Sequence, residues 1–177
     1  TESAAYDAKL VTGEPFTLEN GDMTSGCNSR STSIDGCDDY RTYYIHNAQG
    51  PGPVILYQVE FNGMGGTILT ELDELGGGSH LGVGNDGFLY IVRHNSGMLT
   101  KFNPLTLGVE SEVQINVEGE SITGIPAVAV GEDGYVYVGS GVTDMIYKVD
   151  PNTGDAEVFG EGNVSGGDLI FVGDALW

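Results

Sequence analysis

Gly82-Val83-Gly84-Asn85-Asp86-Gly87-Phe88-Leu89-Tyr90-Ile91-Val92 is the stretch whose reading decides the fold. It returns as Ala129-Val130-Gly131-Glu132-Asp133-Gly134-Tyr135-Val136-Tyr137-Val138, with Asp86 and Asp133 47 positions apart. The register holds downstream, where Met98-Leu99-Thr100-Lys101-Phe102-Asn103-Pro104 precedes Met145-Ile146-Tyr147-Lys148-Val149-Asp150-Pro151 by the same 47. One period earlier, Tyr43-Tyr44-Ile45 stands in place of Tyr90-Ile91-Val92, and Leu169 to Trp177 opens a further copy in a slightly shorter register. A fixed period of this length without helical patterning predicts a β-repeat array.

Within each period the pattern predicts four strands. In the second copy these are His80 to Val83, Phe88 to Val92, Leu99 to Phe102 and Val113 to Val117. In the third they are Ala127 to Val130, Tyr135 to Val138, Met145 to Val149 and Ala156 to Phe159. The Asp-Gly pairs between apolar runs are hairpin signals. Phe88 to Val92 is apolar at consecutive positions, so both faces of that strand must be covered. The first copy supplies Tyr43 to Ile45, Val54 to Phe61 and Thr67 to Leu72 as strands. Residues 1–38 do not show the repeat and read as an N-terminal arm and cystine loop. Residues 39–177 read as about three units plus the start of a fourth.

A formal charge of −20 bears on partners. A surface this acidic repels phosphate backbones and anionic headgroups, so nucleic acid is excluded as a partner and membrane insertion is not expected. No run of apolar residues reaches the length of a membrane span, and no signal peptide stands at Thr1, as in a mature chain whose leader has been removed. The two cysteines, Cys27 and Cys37, bracket a short polar loop with no second pair or nearby His to complete a zinc site. A disulfide here would contribute roughly 3 kcal/mol and would place the chain in an oxidising, extracellular or cell-surface setting. The other reading is two free thiols in a cytosolic loop.

Asp35, Asp38 and Asp39 put three carboxylates within five residues of that loop. Hard cations take such oxygen ligands, which makes this trio the Ca2+ candidate, set against a solvated acidic loop. Asp150-Pro151-Asn152-Thr153-Gly154-Asp155 has calcium-like spacing too, but Gly comes one place early for an EF-hand and a hairpin turn accounts for it. Tyr40, Tyr43, Tyr44, Tyr57, Tyr90, Tyr135, Tyr137 and Tyr147 would suit a sugar-binding surface. Their repeat-matched positions argue instead for core.

Strand, Asp-Gly turn, aromatic strand, then Lys148-Val149-Asp150-Pro151-Asn152-Thr153-Gly154 resembles a blade of secreted bacterial β-propellers. Asn103-Pro104-Leu105-Thr106 keeps part of the last motif, with Leu107 where Gly is expected. No Trp-Asp pair closes a repeat, so the WD40 class is a poor match. The resemblance spans about Asp39 to Trp177. It implies an all-β, β-propeller-like array of four-stranded antiparallel blades. A closed ring needs at least about four blades, so the array is expected to be incomplete and the gene product to continue past Trp177.

What the resemblance implies about function is an extracellular recognition or structural domain of a bacterial cell-surface, adhesin or fibre protein. Its partners would be other protein chains or surface glycans, with self-assembly through an open blade edge. The alternatives are a metal-dependent propeller enzyme of lyase or lactonase type and the N-terminal part of a secretion-system cargo protein. In the blade scheme His80 lies at the channel mouth, Asp168 aligns near it and Glu120 sits on a preceding loop. His46 and His94 fall on the opposite side of the sheet order, which argues against a three-His metal site. No Ser nucleophile elbow, His-Glu-x-x-His or phosphate loop is present, and no catalytic residue is assigned.

Overall fold

The Asp-Gly pairs make the tight connections that their apolar flanks require. Gly84 N donates to Phe88 O and Gly87 N to Gly84 O, each at 2.9 Å. Gly131 and Gly134 repeat both bonds with Tyr135 O and Gly131 O. These turns belong to a computed structural model that is all-β. It describes residues 8–10, 15–16, 21–27, 40–47, 54–61, 67–75, 78–162, 169–172 and 175–176.

Strands β1 (Ala8–Leu10), β2 (Pro15–Phe16), β3 (Gly21–Cys27), β4 (Tyr40–Asn47), β5 (Val54–Phe61) and β6 (Thr67–Leu75) form one sheet, ordered β2-β1-β6-β5-β4-β3. β1 runs parallel to β6, while the other neighbours are antiparallel. A four-stranded antiparallel meander follows: β7 (Ser79–Val83), β8 (Leu89–Arg93), β9 (Met98–Asn103) and β10 (Gly108–Gln114). The small hairpin β11 (Asn116–Val117) and β12 (Glu120–Ser121) leads into a second meander. Its strands are β13 (Ala127–Val130), β14 (Val136–Ser140), β15 (Met145–Val149) and β16 (Ala156–Glu161). β17 (Phe171–Val172) and β18 (Ala175–Leu176) pair as a last hairpin.

The apolar runs are buried between sheets. Leu89, Ile91 and Phe102 pack with Tyr43, Ile45, Val54 and Leu56 of the first sheet. Tyr90, Val92 and Leu99, one residue out of phase, pack with Val128, Val136, Val138 and Val149 of the second meander. Successive side chains of a strand point to opposite faces, which is why one strand feeds two cores. Ile115, Ile122 and Ile125 close the second core from the β11–β12 segment. Ala127, Ala129 and Ile146 carry the contact onward to Leu169, Phe171 and Leu176.

The expectation of a β-propeller, and with it the resemblance to secreted bacterial propellers, is overturned. The sheets are open and separate, and among the described residues no strand pairing closes or curls them into a ring. The first sheet is not a four-stranded blade: it has six strands, one of them parallel. A repeat length sets how many residues each sheet receives. It does not set the rotation from one sheet to the next, which side-chain packing across the interface decides. At element level, the fourth strand expected over Val113 to Val117 begins instead at Gly108. A bulge between Val109 and Ser111 shifts its register. Asn116–Val117 leaves that sheet to form its own hairpin, and Glu120 lies in a strand rather than a loop.

Candidate functional site

The repeat gathers its chemistry-bearing side chains at one place in each meander. Tyr90 on β8 lies directly across from Lys101 on β9. Asp86, in the turn before β8, accepts from Tyr90 Oη and from Lys101 Nζ through the same Oδ2, each at 2.8 Å. Asp86 Oδ1 accepts from the Phe88 amide at 3.2 Å, which fixes the carboxylate in its turn. The ammonium also lies 4.3 Å from the Phe88 ring centroid and 5.4 Å from that of Tyr90. A cation over aromatic faces gains from the ring quadrupole.

The second meander rebuilds this group. Tyr137 pairs across from Lys148, Asp133 Oδ2 meets Lys148 Nζ at 2.8 Å and Tyr137 Oη at 2.9 Å, and the ammonium sits 4.1 Å from the Tyr135 centroid. Gly84 serves this arrangement by what it lacks. A Cβ there would come within 2.5 Å of Asp86 Oδ1 and 2.7 Å of the Tyr90 ring. Gly131 faces the matching atoms of Asp133 and Tyr137.

The electrostatics follow from the contacts. Burial works against the charged form of Asp86, but hydrogen bonds from Lys101, Tyr90 and the Phe88 amide outweigh it and hold the carboxyl below the usual carboxylate range. Asp133 is lowered in the same way, with burial opposed by Lys148, Tyr137 and the Tyr135 amide. Lys101 is raised: burial pulls it down, and the bonds to Asp86 and Tyr90 more than reverse that. Lys148 is raised chiefly by its hydrogen bond to Asp133. Tyr90 and Tyr137 are raised by burial first, with the adjacent carboxylate adding to it.

The candidates from sequence fare unevenly. Asp35, Asp38, Asp39, Cys37 and Asp168 lie outside the described residues. Cys27 is the last residue of β3, opposite Tyr40. Glu120 is exposed on β12, and His80 is half-buried on β7. His46 takes a hydrogen bond partner in Tyr44, Oη to Nδ1 at 3.3 Å. His94, expected to lie away from His80, has its ring centroid 5.8 Å from that of His80. Register arithmetic would have found this pair. His80 lies opposite Val92, so His94, two residues on, shares its face as a diagonal neighbour. Local pattern shows the Asp-Gly pairs as turns and does not show their link to Lys101 and Lys148. The signal was the shared 47-residue offset of Asp, Tyr and Lys.

No protein-family model matches the chain and no curated protein matches it. Solved structures do. A structural genomics protein of unknown function from Bacteroides thetaiotaomicron aligns at TM-score 0.53 and 19% identity, covering 70% of this chain and 31% of that one. The likeness is one of fold alone. Myxococcus xanthus glutaminyl cyclase aligns at TM-score 0.46 and 18% identity, over 65% of this chain and 46% of its own. A catalytically inactive virginiamycin B lyase from Staphylococcus aureus, solved with quinupristin, aligns at 0.44 and 14%, over 71% and 43%. At those scores the last two bear on neither fold nor function. The chain spans less than half the length of each of the three.

Both functional expectations that rested on a propeller are therefore corrected. The recognition or structural propeller of an adhesin, fibre or cargo protein has no ring or blade arrangement beneath it, and neither has self-assembly through a blade edge. The metal-dependent lyase or lactonase needed acidic ligands converging from several blades. Among the described residues no group of three or more His, Cys, Asp or Glu is placed to hold a metal ion. The disulfide and the calcium loop find no support in the described residues, since Cys37 and the three aspartates lie outside them.

Proposed function

We propose that this chain serves as a structural scaffold, a stack of β-sheets in which each meander is braced within itself by a repeated carboxylate–tyrosine–lysine clamp. The observation that carries the reading is the duplication itself. Asp86, Tyr90 and Lys101 bond to one another, and Asp133, Tyr137 and Lys148 do the same 47 positions later. A general acid or base works best with a pKa near the operating pH, whereas the lysine and tyrosine bonded to each carboxylate here hold it below the usual range. Twofold use at matched positions suits a fastening built into the repeat unit. Double-mutant cycles test it: Asp86→Asn with Lys101→Met, and Asp133→Asn with Lys148→Met, followed by urea unfolding. Favourable coupling of the same sign in both pairs is expected, and absence of coupling in both would remove the scaffold reading.

The setting we propose is extracellular. Two cysteines ten positions apart support it. Mass spectrometry of native material under non-reducing conditions should find Cys27 and Cys37 joined. Two free thiols would return the chain to a reducing compartment.

A further inference from the structure

The inner face of the first meander carries a feature that the clamps do not use. His80 and His94 approach with ring centroids 5.8 Å apart and planes 52° to one another. Both project to the side of the sheet that Val92 shares with the second meander. His94 is held from both directions along its backbone. Its amide donates to Gly78 O at 2.8 Å, and its carbonyl accepts from Gly124 N at 2.8 Å and Ile125 N at 3.2 Å. Yet among the described residues its buried side-chain Nδ1 has no hydrogen-bond partner. A buried polar nitrogen left unmatched costs free energy, and a water, an ion or a functional role accounts for such a group.

We infer that His80 and His94 form a two-imidazole site for a divalent transition-metal ion, of the copper, nickel and zinc class. An imidazole nitrogen binds such an ion at about 2 Å, so two imidazoles on one ion place their ring centroids roughly 4.5 to 6.3 Å apart as the angle at the ion opens from about 90° to about 180°. The observed separation falls in that interval before any metal is added. Imidazole is the ligand type these ions favour, and Cu2+ binds nitrogen sites more tightly than Ni2+ or Zn2+. Ca2+ and Mg2+ prefer oxygen and are not expected to compete. Backbone bonds that fix His94 reduce the ordering cost of binding. The negative charge of the chain raises the local concentration of cations.

The test titrates the intact chain with Cu2+, followed by calorimetry and by the nitrogen hyperfine pattern in electron paramagnetic resonance. One site with two coordinated nitrogens is expected. His80→Asn and His94→Asn should each weaken it about tenfold or more, while His46→Asn leaves it unchanged. Undiminished binding in the His80→Asn, His94→Asn double variant would show that the ion sits elsewhere, such as at the chain's amino terminus, and would overturn the site. Because either variant can perturb packing, the unaltered protein gives a second reading. Zn2+ should move the imidazole nuclear magnetic resonance signals of His80 and His94 together at one equivalent. Movement of one alone, or of neither, overturns it as well.

Discussion

In each clamp a carboxylate oxygen shared by a lysine and a tyrosine makes one pH-dependent contribution to stability. Asp86 and Asp133 titrate lower in the folded state than the ordinary value of about 3.9. Their contribution is therefore present above about pH 4 and is lost as pH falls through the depressed folded values. Lys101 and Lys148 are raised above about 10.4, so theirs is present below that pH and lost as pH rises through the folded values. Tyr90 and Tyr137, also raised, lose stability on the same alkaline side. The contribution of these six groups is therefore full between roughly pH 4 and 10. The Asp86→Asn, Asp133→Asn double variant should lower stability in that range and flatten the acid limb, as read from urea midpoints across pH. An acid limb as steep as in the unaltered chain would show that other carboxylates govern it. At the more buried of the two clamps, Lys101→Met should cost about 1 kcal/mol, the range of a partly exposed ion pair with a cation–π contact.

At the scale of elements, the two turns that close the third strands differ at Asn103/Asp150, Leu105/Asn152 and Leu107/Gly154, and the last of these tests what the turn is for. Gly154 sits at φ +80° between β15 and β16, and Leu107 holds the matching position between β9 and β10 at φ +55°. Gly154 is also where the second meander docks on the first. Asn116 N donates to Gly154 O at 2.9 Å, and a Cβ on Gly154 would collide with the Gln114 carbonyl. Leu107 is 53% exposed, so little burial offsets its left-handed backbone. That conformation costs an L-residue about 1–2 kcal/mol. Leu107→Gly should therefore stabilise by up to about 1 kcal/mol, after the added freedom of the unfolded chain is set against the gain. Gly154→Ala should destabilise by about 2 kcal/mol or more, since strain and collision act together. Equal effects of the two changes on thermal unfolding would mean that the docking contact at Gly154 carries no weight.

For the molecule as a whole, the consequence of sharing strands between cores is cooperativity. β8 gives Leu89 and Ile91 to one interface and Tyr90 and Val92 to the other. Loosening either interface exposes a strand on which the other depends. Phe102→Ala, in the first core, should cost about 3–5 kcal/mol, and Val138→Ala, in the second, about 2 kcal/mol or more. Both should shift one common transition, with fluorescence and circular dichroism midpoints that coincide. Two separated transitions in either variant would show that the sheets unfold as independent units.

How much of this was legible in the sequence depends on the range of the interaction. The 47-residue period, the Asp-Gly turns and the doubly apolar second strand are local patterns. Backbone geometry and the alternation of side chains convert them into antiparallel strands buried on both faces. His80 and His94 were within reach of the same arithmetic once Ser79 is placed opposite Arg93. Other features were not, because no local pattern encodes them. The parallel seam of β1 on β6 joins residues nearly 60 positions apart. The move of Asn116–Val117 into its own hairpin answers to the docking of Gly154. Above all, strand pattern leaves the rotation between successive sheets free. The shapes of Leu89, Ile91 and Phe102 on one side and of Tyr90, Val92 and Leu99 on the other are fitted against partners elsewhere in the chain. Only that packing distinguishes a row of open sheets from a ring of blades.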